Sequence, residues 1–352
     1  MKKIRVSKLK GGEVLASDVY TDDLQVLIGK GSVLKQSYID KLIDLGIEEV
    51  RVETGVKIQG EDADIILQDE VKNDCLVKVK DILEHHTYNN NAQLMGINVA
   101  AEEVISNILE KKEVVNKIFE IKERSADLYE HSVSVCSLAT LAALKLGLSN
   151  EIVHELATAS LLHDLGLRYM TVPYINVDIN TLSQKEIDEY RKHTVYGYTA
   201  VQQETWISEK AKQMILFHHE RIDGSGYPLH AKSITIESQI LEVCEFLDEN
   251  LCGIGCERGK LHDIIQYMQA MSGVLFAKEA VDSVLTFTAV YPVGTTLKLS
   301  DGRIGIVVKQ NKQLVDRPVL QLLKDETGKP YKTKSMLDLS EIYNVIVDSV
   351  LD

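Results

Sequence analysis

Hydrophobic residues recur at three- and four-residue spacing through the middle of the chain. From about Val71 to Leu285 this spacing is typical of helices, and only Pro173 and Pro228 interrupt the region. The segments with the clearest pattern are 105–121, 125–146, 149–165, 184–203, 208–219, 236–249 and 261–271. The pattern therefore predicts a helical bundle.

The pattern changes at both ends of the chain. Near the start, short apolar runs bounded by glycines flank one amphipathic segment, Leu34–Leu45, which indicates a small α+β module. From Val293 onward apolar residues alternate with polar ones, which is typical of strands. The expected fold class is mainly α, with a small α+β module at the N-terminus and a short β-rich appendage at the C-terminus.

These changes of pattern divide the chain into four predicted parts. They are a small α+β accessory domain (1–58), a linker with leading helices (59–122), a helical domain (123–290) and a β-rich C-terminal segment (291–352).

Charge narrows the function classes. The chain has 39 Lys and Arg against 53 Asp and Glu, a formal net charge of −14. This balance argues against binding of a nucleic-acid polymer, because such binding depends on a basic surface. A phosphate-bearing substrate would need a local source of positive charge, and a bound metal can supply it.

Composition also bears on location. No apolar run reaches the roughly 18 residues of a membrane span, and the charged start Met1–Arg5 precedes no apolar segment. The five cysteines include no CxxC pair; Cys252 and Cys256 could pair with each other, but reduced thiols fit better. We therefore expect a cytoplasmic protein without a membrane segment.

The histidines are placed unevenly. His131, His163 and His193 fall on separate predicted helices, and His218-His219 forms a tandem. A single helical histidine is more often a core or surface residue, but helices that converge can build a metal centre in a bundle. Imidazole and carboxylate ligands together favour zinc, iron or manganese.

Two stretches carry a resemblance to a known family. Leu162–Gly166 reads Leu-His-Asp-Leu-Gly, and His218–Pro228 reads His-His-Glu-Arg-Ile-Asp-Gly-Ser-Gly-Tyr-Pro. With His131 and His193, these stretches resemble the HD-GYP family of HD-superfamily cyclic-dinucleotide phosphodiesterases. The resemblance covers about residues 125–290 and implies a central HD-type helical bundle.

The resemblance implies a set of metal ligands and catalytic groups. Asp164 would bridge two metals, and Asp164 and His193 are the candidate catalytic residues. Glu245 stands where the family has an aspartate, and Asp127 stands where members with a third metal have a glutamate. Two divalent ions are expected, iron or manganese before zinc, and a third ion is left open. The implied ligands are His131, His163, Asp164, His193, His218, His219, Glu245 and Asp127.

The resemblance also implies substrate contacts, and there the chain departs from the family. Leu167 replaces the lysine that usually follows His-Asp-x-Gly, and such a lysine would stabilise charge on the phosphate. Arg258 and Lys260 lie where the family has another basic segment. The candidate substrate-binding residues are Asp223, Gly226, Tyr227, Pro228, Arg258 and Lys260.

The expected function is hydrolysis of cyclic di-GMP to pGpG or GMP by a hydroxide that bridges two metals. Leu167 keeps open a weakened member that acts as a dinucleotide sensor or partner-binding scaffold. Hydrolysis of another cyclic dinucleotide or nucleotide is a further alternative. The expected partners are cyclic di-GMP and, through the Gly-Tyr-Pro loop, diguanylate cyclase (GGDEF) domains, and a homodimer is left open.

Overall fold

The computed structural model describes residues 2–16, 19–20, 26–47, 49–52, 64–86, 94–111, 114, 117–119, 121, 126–311 and 314–351. The chain divides into two compact units. One is Asp64–Val290, and the other joins Met1–Ala63 with Tyr291–Asp352. The borders predicted near residues 58, 122 and 290 stay predictions.

The unit Asp64–Val290 is helical. A 3₁₀ helix, Leu165–Tyr169, directly follows the His163-Asp164 pair. Among the described residues its α-helices are α2 (Asp69–His85), α3 (Gly96–Leu109), α4 (Leu128–Lys145), α5 (Asn150–Leu162), α6 (Gln184–Arg191), α7 (His193–Val201), α8 (Glu209–Phe217), α9 (Ile236–Cys252), α10 (Leu261–Met271) and α11 (Lys278–Leu285).

Side-chain caps define where the central helices begin. Asp127 accepts from the backbone N–H groups of Tyr129 and Glu130 at the start of α4. Ser149 caps α5 in the same way, and Thr235 caps α9. Such caps satisfy N–H groups that have no partner inside the helix, so they fix the register in which each helix starts.

Two predicted helices differ from the structure. The segment 184–203 forms two helices, because the chain turns tightly at Lys192, whose N–H donates to the Glu189 carbonyl at 3.0 Å. The segment 105–121 is helical only to Leu109. Beyond it, Phe119 is extended and bonds to the backbone of Phe287 and Ala289, which replaces the helical bonds.

Helix α4 forms the centre of the bundle and packs against α5 and α9. Its residues from Val133 to Ala143 are almost all buried, and small residues such as Ala139 and Ala142 allow close approach of the neighbours. Burial of this apolar surface stabilises the bundle. It also places the first turn of α4, which carries His131, beside α5 and α9.

The other unit is rich in strands. Its N-terminal part pairs β1 (Lys2–Arg5) with β4 (Glu49–Val52) and β2 (Val19–Tyr20) with β3 (Val26–Ile28). Helix α1 (Gln36–Asp44) lies between β3 and β4 in the sequence. Its C-terminal part is an antiparallel sheet in the order β8-β7-β6-β5-β9. These strands are β5 (Thr296–Leu299), β6 (Ile304–Lys309), β7 (Val319–Lys324), β8 (Pro330–Asp338) and β9 (Val347–Leu351). The predicted fold class is confirmed.

In the described part of the chain, no helix is both long and apolar enough to cross a membrane.

Candidate metal centre

Histidines from four helical segments meet in the core of the bundle. His131 comes from α4, His193 opens α7, and His163 and His218 directly follow α5 and α8. All four are completely buried. Buried titratable groups gathered from separate elements indicate a functional site rather than ordinary core packing.

Asp164 lies between two pairs of these histidines. Its Oδ2 is 3.6 Å from the Nε2 atoms of both His131 and His163. Its Oδ1 is 3.5 Å from Nε2 of His193 and 3.7 Å from Nε2 of His218. Neither carboxylate oxygen has a hydrogen-bond partner, although Asp164 is buried. A buried carboxylate normally has partners, so these two oxygens are free to bind cations.

Glu245 on α9 completes one side of the centre. Its Oε2 lies 2.9 Å from His131 Nε2 and 2.8 Å from His163 Nε2. The ligand atoms of these two histidines, Asp164 and Glu245 all lie within 4.8 Å of one another. The extra methylene of glutamate, relative to the aspartate of the family, therefore does not keep this carboxylate out of the centre.

The opposite side is built from His193, His218 and His219, whose ligand atoms also lie within 4.8 Å of one another. The His219 ring stacks on Tyr227, with ring centroids 4.7 Å apart. The two groups of ligands share Asp164 between them, so the arrangement offers two neighbouring cation positions.

Hydrogen bonds at the far side of each ring aim the histidines inward. The Nδ1–H of His163 donates to the Ser160 carbonyl at 2.7 Å, that of His193 to the Tyr190 carbonyl at 2.8 Å, and that of His218 to the Ile215 carbonyl at 2.7 Å. A carbonyl oxygen only accepts, so in each neutral ring Nδ1 carries the proton and Nε2 presents a lone pair.

These lone pairs face one another at short range. The Nε2 atoms of His193 and His218 are 3.1 Å apart, and those of His131 and His163 are 3.2 Å apart. Two lone pairs at this distance repel unless a cation shares them. The donor set therefore fits divalent metal ions, and it consists of imidazoles with two carboxylates, which suits zinc, iron or manganese.

The protonation states agree with this fit. Burial lowers the pKa of His193 to about 4, although Asp164 partly opposes it. Burial and the nearby His218 hold the pKa of His219 well below its usual range. Burial would raise the pKa of Asp164, but the surrounding imidazoles outweigh it and the pKa lies well below its usual range. At neutral pH the His193 and His219 rings are therefore unprotonated and the bridging carboxylate is ionised. Burial would lower the pKa of His131 and His163, but nearby carboxylates, chiefly Glu245 for His131 and Asp164 for His163, outweigh it and raise both pKa values above the usual range, so a metal ion on that side must displace a proton.

The sequence analysis did not predict two acidic residues that lie at the centre, Asp248 and Glu249. Asp248 Oδ2 accepts from His131 Nδ1 at 2.7 Å, and Glu249 lies with His219 and Glu245 in a third group of adjacent ligand atoms. Burial and the charge of Glu245 raise the pKa of Glu249 well above its usual range. Both residues follow Glu245 by three and four positions, so helical spacing places them on the same face and could have indicated them.

Replacing Asp248 with Asn should weaken metal binding. The carboxylate orients His131 and raises its basicity, and loss of such a supporting group typically costs about 10- to 100-fold in metal affinity. Competition with a chromophoric chelator measures this affinity. The exposed Asp263→Asn variant is the matched control, and equal affinities for the two variants would contradict the role of Asp248.

Asp127 does not join the centre. It is exposed, and its Oδ1 accepts two backbone N–H groups as the cap of α4. In the part of the chain that the structure describes, it belongs to none of the groups of adjacent ligand atoms. Its assignment to a third metal stays a prediction.

The Gly-Tyr-Pro loop borders the centre. Glu220 is fully buried and accepts from the N–H groups of Leu229 at 2.5 Å and Ala231 at 2.9 Å. Gly226 packs on the backbone of the preceding turn, where an added Cβ would lie 2.3 Å from the His219 carbonyl oxygen. These contacts fix the loop directly after His218-His219, with Tyr227 against the metal side.

The other predicted substrate residues lie farther out. Asp223 is exposed and accepts from the Ser225 N–H at 2.9 Å, and Pro228 is half-buried. Arg258 and Lys260 are exposed on the segment between α9 and α10. Leu167, in place of the family lysine, is 1% exposed and packs in an apolar cluster with Leu128, Val172, Tyr190, Cys252 and Ile254.

A family model described as HD domain matches residues 103–279, about half of the chain. The chain belongs to the HD domain family. A second model, described as a KOW domain associated with the HD domain, matches residues 296–352. The predicted membership of the HD superfamily is confirmed by this match.

Three such relatives show the extent of the similarity. The cyclic di-GMP phosphodiesterase PA4108 of Pseudomonas aeruginosa is 27% identical over 68% of this HD chain and 58% of its own length. A cyclic di-GMP phosphodiesterase of Thermotoga maritima is 28% identical over 51% of this chain and 49% of its own. The response regulator RpfG of Xanthomonas campestris pv. campestris is also named a cyclic di-GMP phosphodiesterase. It is 32% identical over 42% of this chain and 40% of its own length. The HD chain thus spans about half the length of the curated relatives it matches.

Proposed function

We propose that this protein is a metal-dependent phosphodiesterase that hydrolyses cyclic di-GMP to pGpG or GMP. The observation that carries the proposal is Asp164, whose two unpartnered oxygens each face a different pair of imidazoles. Two adjacent cations at such a centre would neutralise phosphate oxygens and acidify a water for in-line attack. The relatives named as cyclic di-GMP phosphodiesterases support this choice of substrate.

The protein itself contributes shape and charge. His131, His163, His193 and His218 would hold the cations, since each presents Nε2 and anchors Nδ1. Imidazole ligands add no negative charge, so two bound divalent cations would leave the centre with net positive charge, and an otherwise acidic chain could then attract a nucleotide dianion to it. Tyr227, stacked on His219, offers a ring surface at the border of the centre.

Purified chain tests the proposal. After loading with iron or manganese, it is incubated with cyclic di-GMP, and linear pGpG and GMP are followed by chromatography. We expect product from the loaded chain and none after chelation. The same assay with a mixed cyclic dinucleotide and a nucleotide alarmone tests the alternative substrates.

A second candidate function is supported by Leu167. Its side chain packs in an apolar cluster, so this position supplies no cation to a bound phosphate. A protein that binds cyclic di-GMP and turns it over negligibly would act as a sensor or scaffold, with diguanylate cyclase domains as candidate partners of the Gly-Tyr-Pro loop. Calorimetric binding of the dinucleotide by a loaded chain that releases no product would favour this function over hydrolysis.

A further inference from the structure

Arg191 lies at the border of the metal centre. It ends α6, two residues before His193, and its guanidinium covers the Tyr227 ring at 5.4 Å from the ring centroid. The same ring stacks on His219 with an interplanar angle of 23°. The Tyr227 ring therefore lies between the Arg191 guanidinium and His219, on the side of the centre that the Gly-Tyr-Pro loop borders.

The Arg191 side chain carries a positive charge at the border of the metal centre. Its Nε is buried and makes no hydrogen bond. Among the described residues, no carboxylate forms an ion pair with this guanidinium, whereas the adjacent Lys192 pairs with Glu189 at 2.7 Å. A partly buried donor without a partner is costly, and an incoming anion would remove that cost.

Other cations are less well placed. Arg168, which directly follows Leu167, also has a buried nitrogen without a hydrogen-bond partner, Nη1, but its Nη2 donates to the Glu84 carbonyl at 2.9 Å, which directs the guanidinium to α2. Arg258 and Lys260 are exposed on the segment after α9. Arg191 is thus the described cation that combines an unpartnered donor with a ring contact to Tyr227.

We infer that Arg191 is a substrate-positioning residue that binds a phosphate group of the nucleotide beside the metal centre. The inference rests on the proposed function. A guanidinium is a planar fork that matches two phosphate oxygens, and it stays charged at every relevant pH. A cyclic dinucleotide carries two phosphodiesters, so one can lie at the metal centre while the other meets Arg191.

An Arg191→Met variant tests the inference. Methionine keeps an apolar stem over the Tyr227 ring but removes the charge. With the iron- or manganese-loaded chain, we expect KM and the calorimetric Kd for cyclic di-GMP to rise on the order of 10- to 100-fold, as for loss of a charge-assisted hydrogen bond. We expect kcat to stay within about twofold, since ground-state binding is what is lost.

The neighbour Lys192 provides the matched control. Lys192→Met removes a charge from the same helix end but leaves an exposed side chain that is paired elsewhere, so KM should match wild type. Arg191→Lys should bind with intermediate affinity, because it restores the charge without the fork. A purely structural role would not change the salt dependence of Kd, whereas loss of a phosphate contact should make it shallower.

The outcomes separate the two proposals. If wild type hydrolyses or binds cyclic di-GMP and Arg191→Met does so with unchanged KM, Kd and salt dependence, the inference is wrong and the proposed function stands. If wild type neither binds nor hydrolyses the dinucleotide, both are wrong. Should Arg191→Met fail to fold, the Arg191→Lys series against salt decides, and wild-type values there overturn the inference.

Discussion

An Asp164→Asn variant should lose at least one of two bound metals and about 10³-fold in kcat on cyclic di-GMP. The two oxygens of Asp164 face separate imidazole pairs, so this side chain reaches both cation positions. Asparagine keeps the shape but removes the negative charge and turns one ligand oxygen into an N–H₂ group. The variant should therefore lose several kcal/mol of the transition-state stabilisation that the metals supply, and this corresponds to the expected loss of about 10³-fold in kcat.

Metal analysis of the purified variant and steady-state kinetics measure these two effects. Asp223→Asn is the control, because Asp223 is exposed and bonds only within its own turn, so its metal content should equal that of wild type. An Asp164→Asn protein with two metals per chain and wild-type kcat would rule out the bridging role of Asp164.

Local signals made much of the helical unit predictable. Ser149 was expected to start a helix, and its hydroxyl does accept from the Ile152 N–H at 3.4 Å. Apolar spacing also gave α10 its bounds, Leu261–Met271. The same spacing failed beyond Leu109, because the partner of Phe119 is a backbone segment near Phe287, far along the chain. Periodicity reports which face is apolar, and it does not report such distant pairings.

The site was predictable where side-chain identity carries the chemistry. The histidines, Asp164 and Glu245 came from motif spacing and family resemblance, and the structure brings them together. The groups that aim the rings could not be found in this way, because the carbonyls of Ser160, Tyr190 and Ile215 act through backbone atoms that every residue has. Arg191 was missed since no sequence spacing connects α6 to Tyr227.

Gly166→Ala should be the most damaging single methyl addition near the centre. A Cβ at residue 166 would lie 1.9 Å from the His193 carbonyl oxygen and 2.8 Å from the Gly197 backbone N. These are backbone atoms, so no side-chain rotation relieves the overlap, and the 3₁₀ helix must move away from α7. Overpacking typically costs about 1–3 kcal/mol and more when the backbone must shift, so we expect a loss of at least about 3 kcal/mol in unfolding free energy.

The same displacement should weaken metal binding. Gly166 follows Asp164 by two residues, and its added methyl would press on the backbone carbonyl of His193. Metal content and thermal unfolding of Gly166→Ala should therefore fall together. Gly259→Ala is the matched control, since the nearest atom to its Cβ is the flexible Ile264 side chain at 3.3 Å. A Gly166→Ala protein as stable and as metal-rich as that control would show that the 3₁₀ helix and α7 are not held in this close contact, and the alignment of Asp164 with His193 would need another cause.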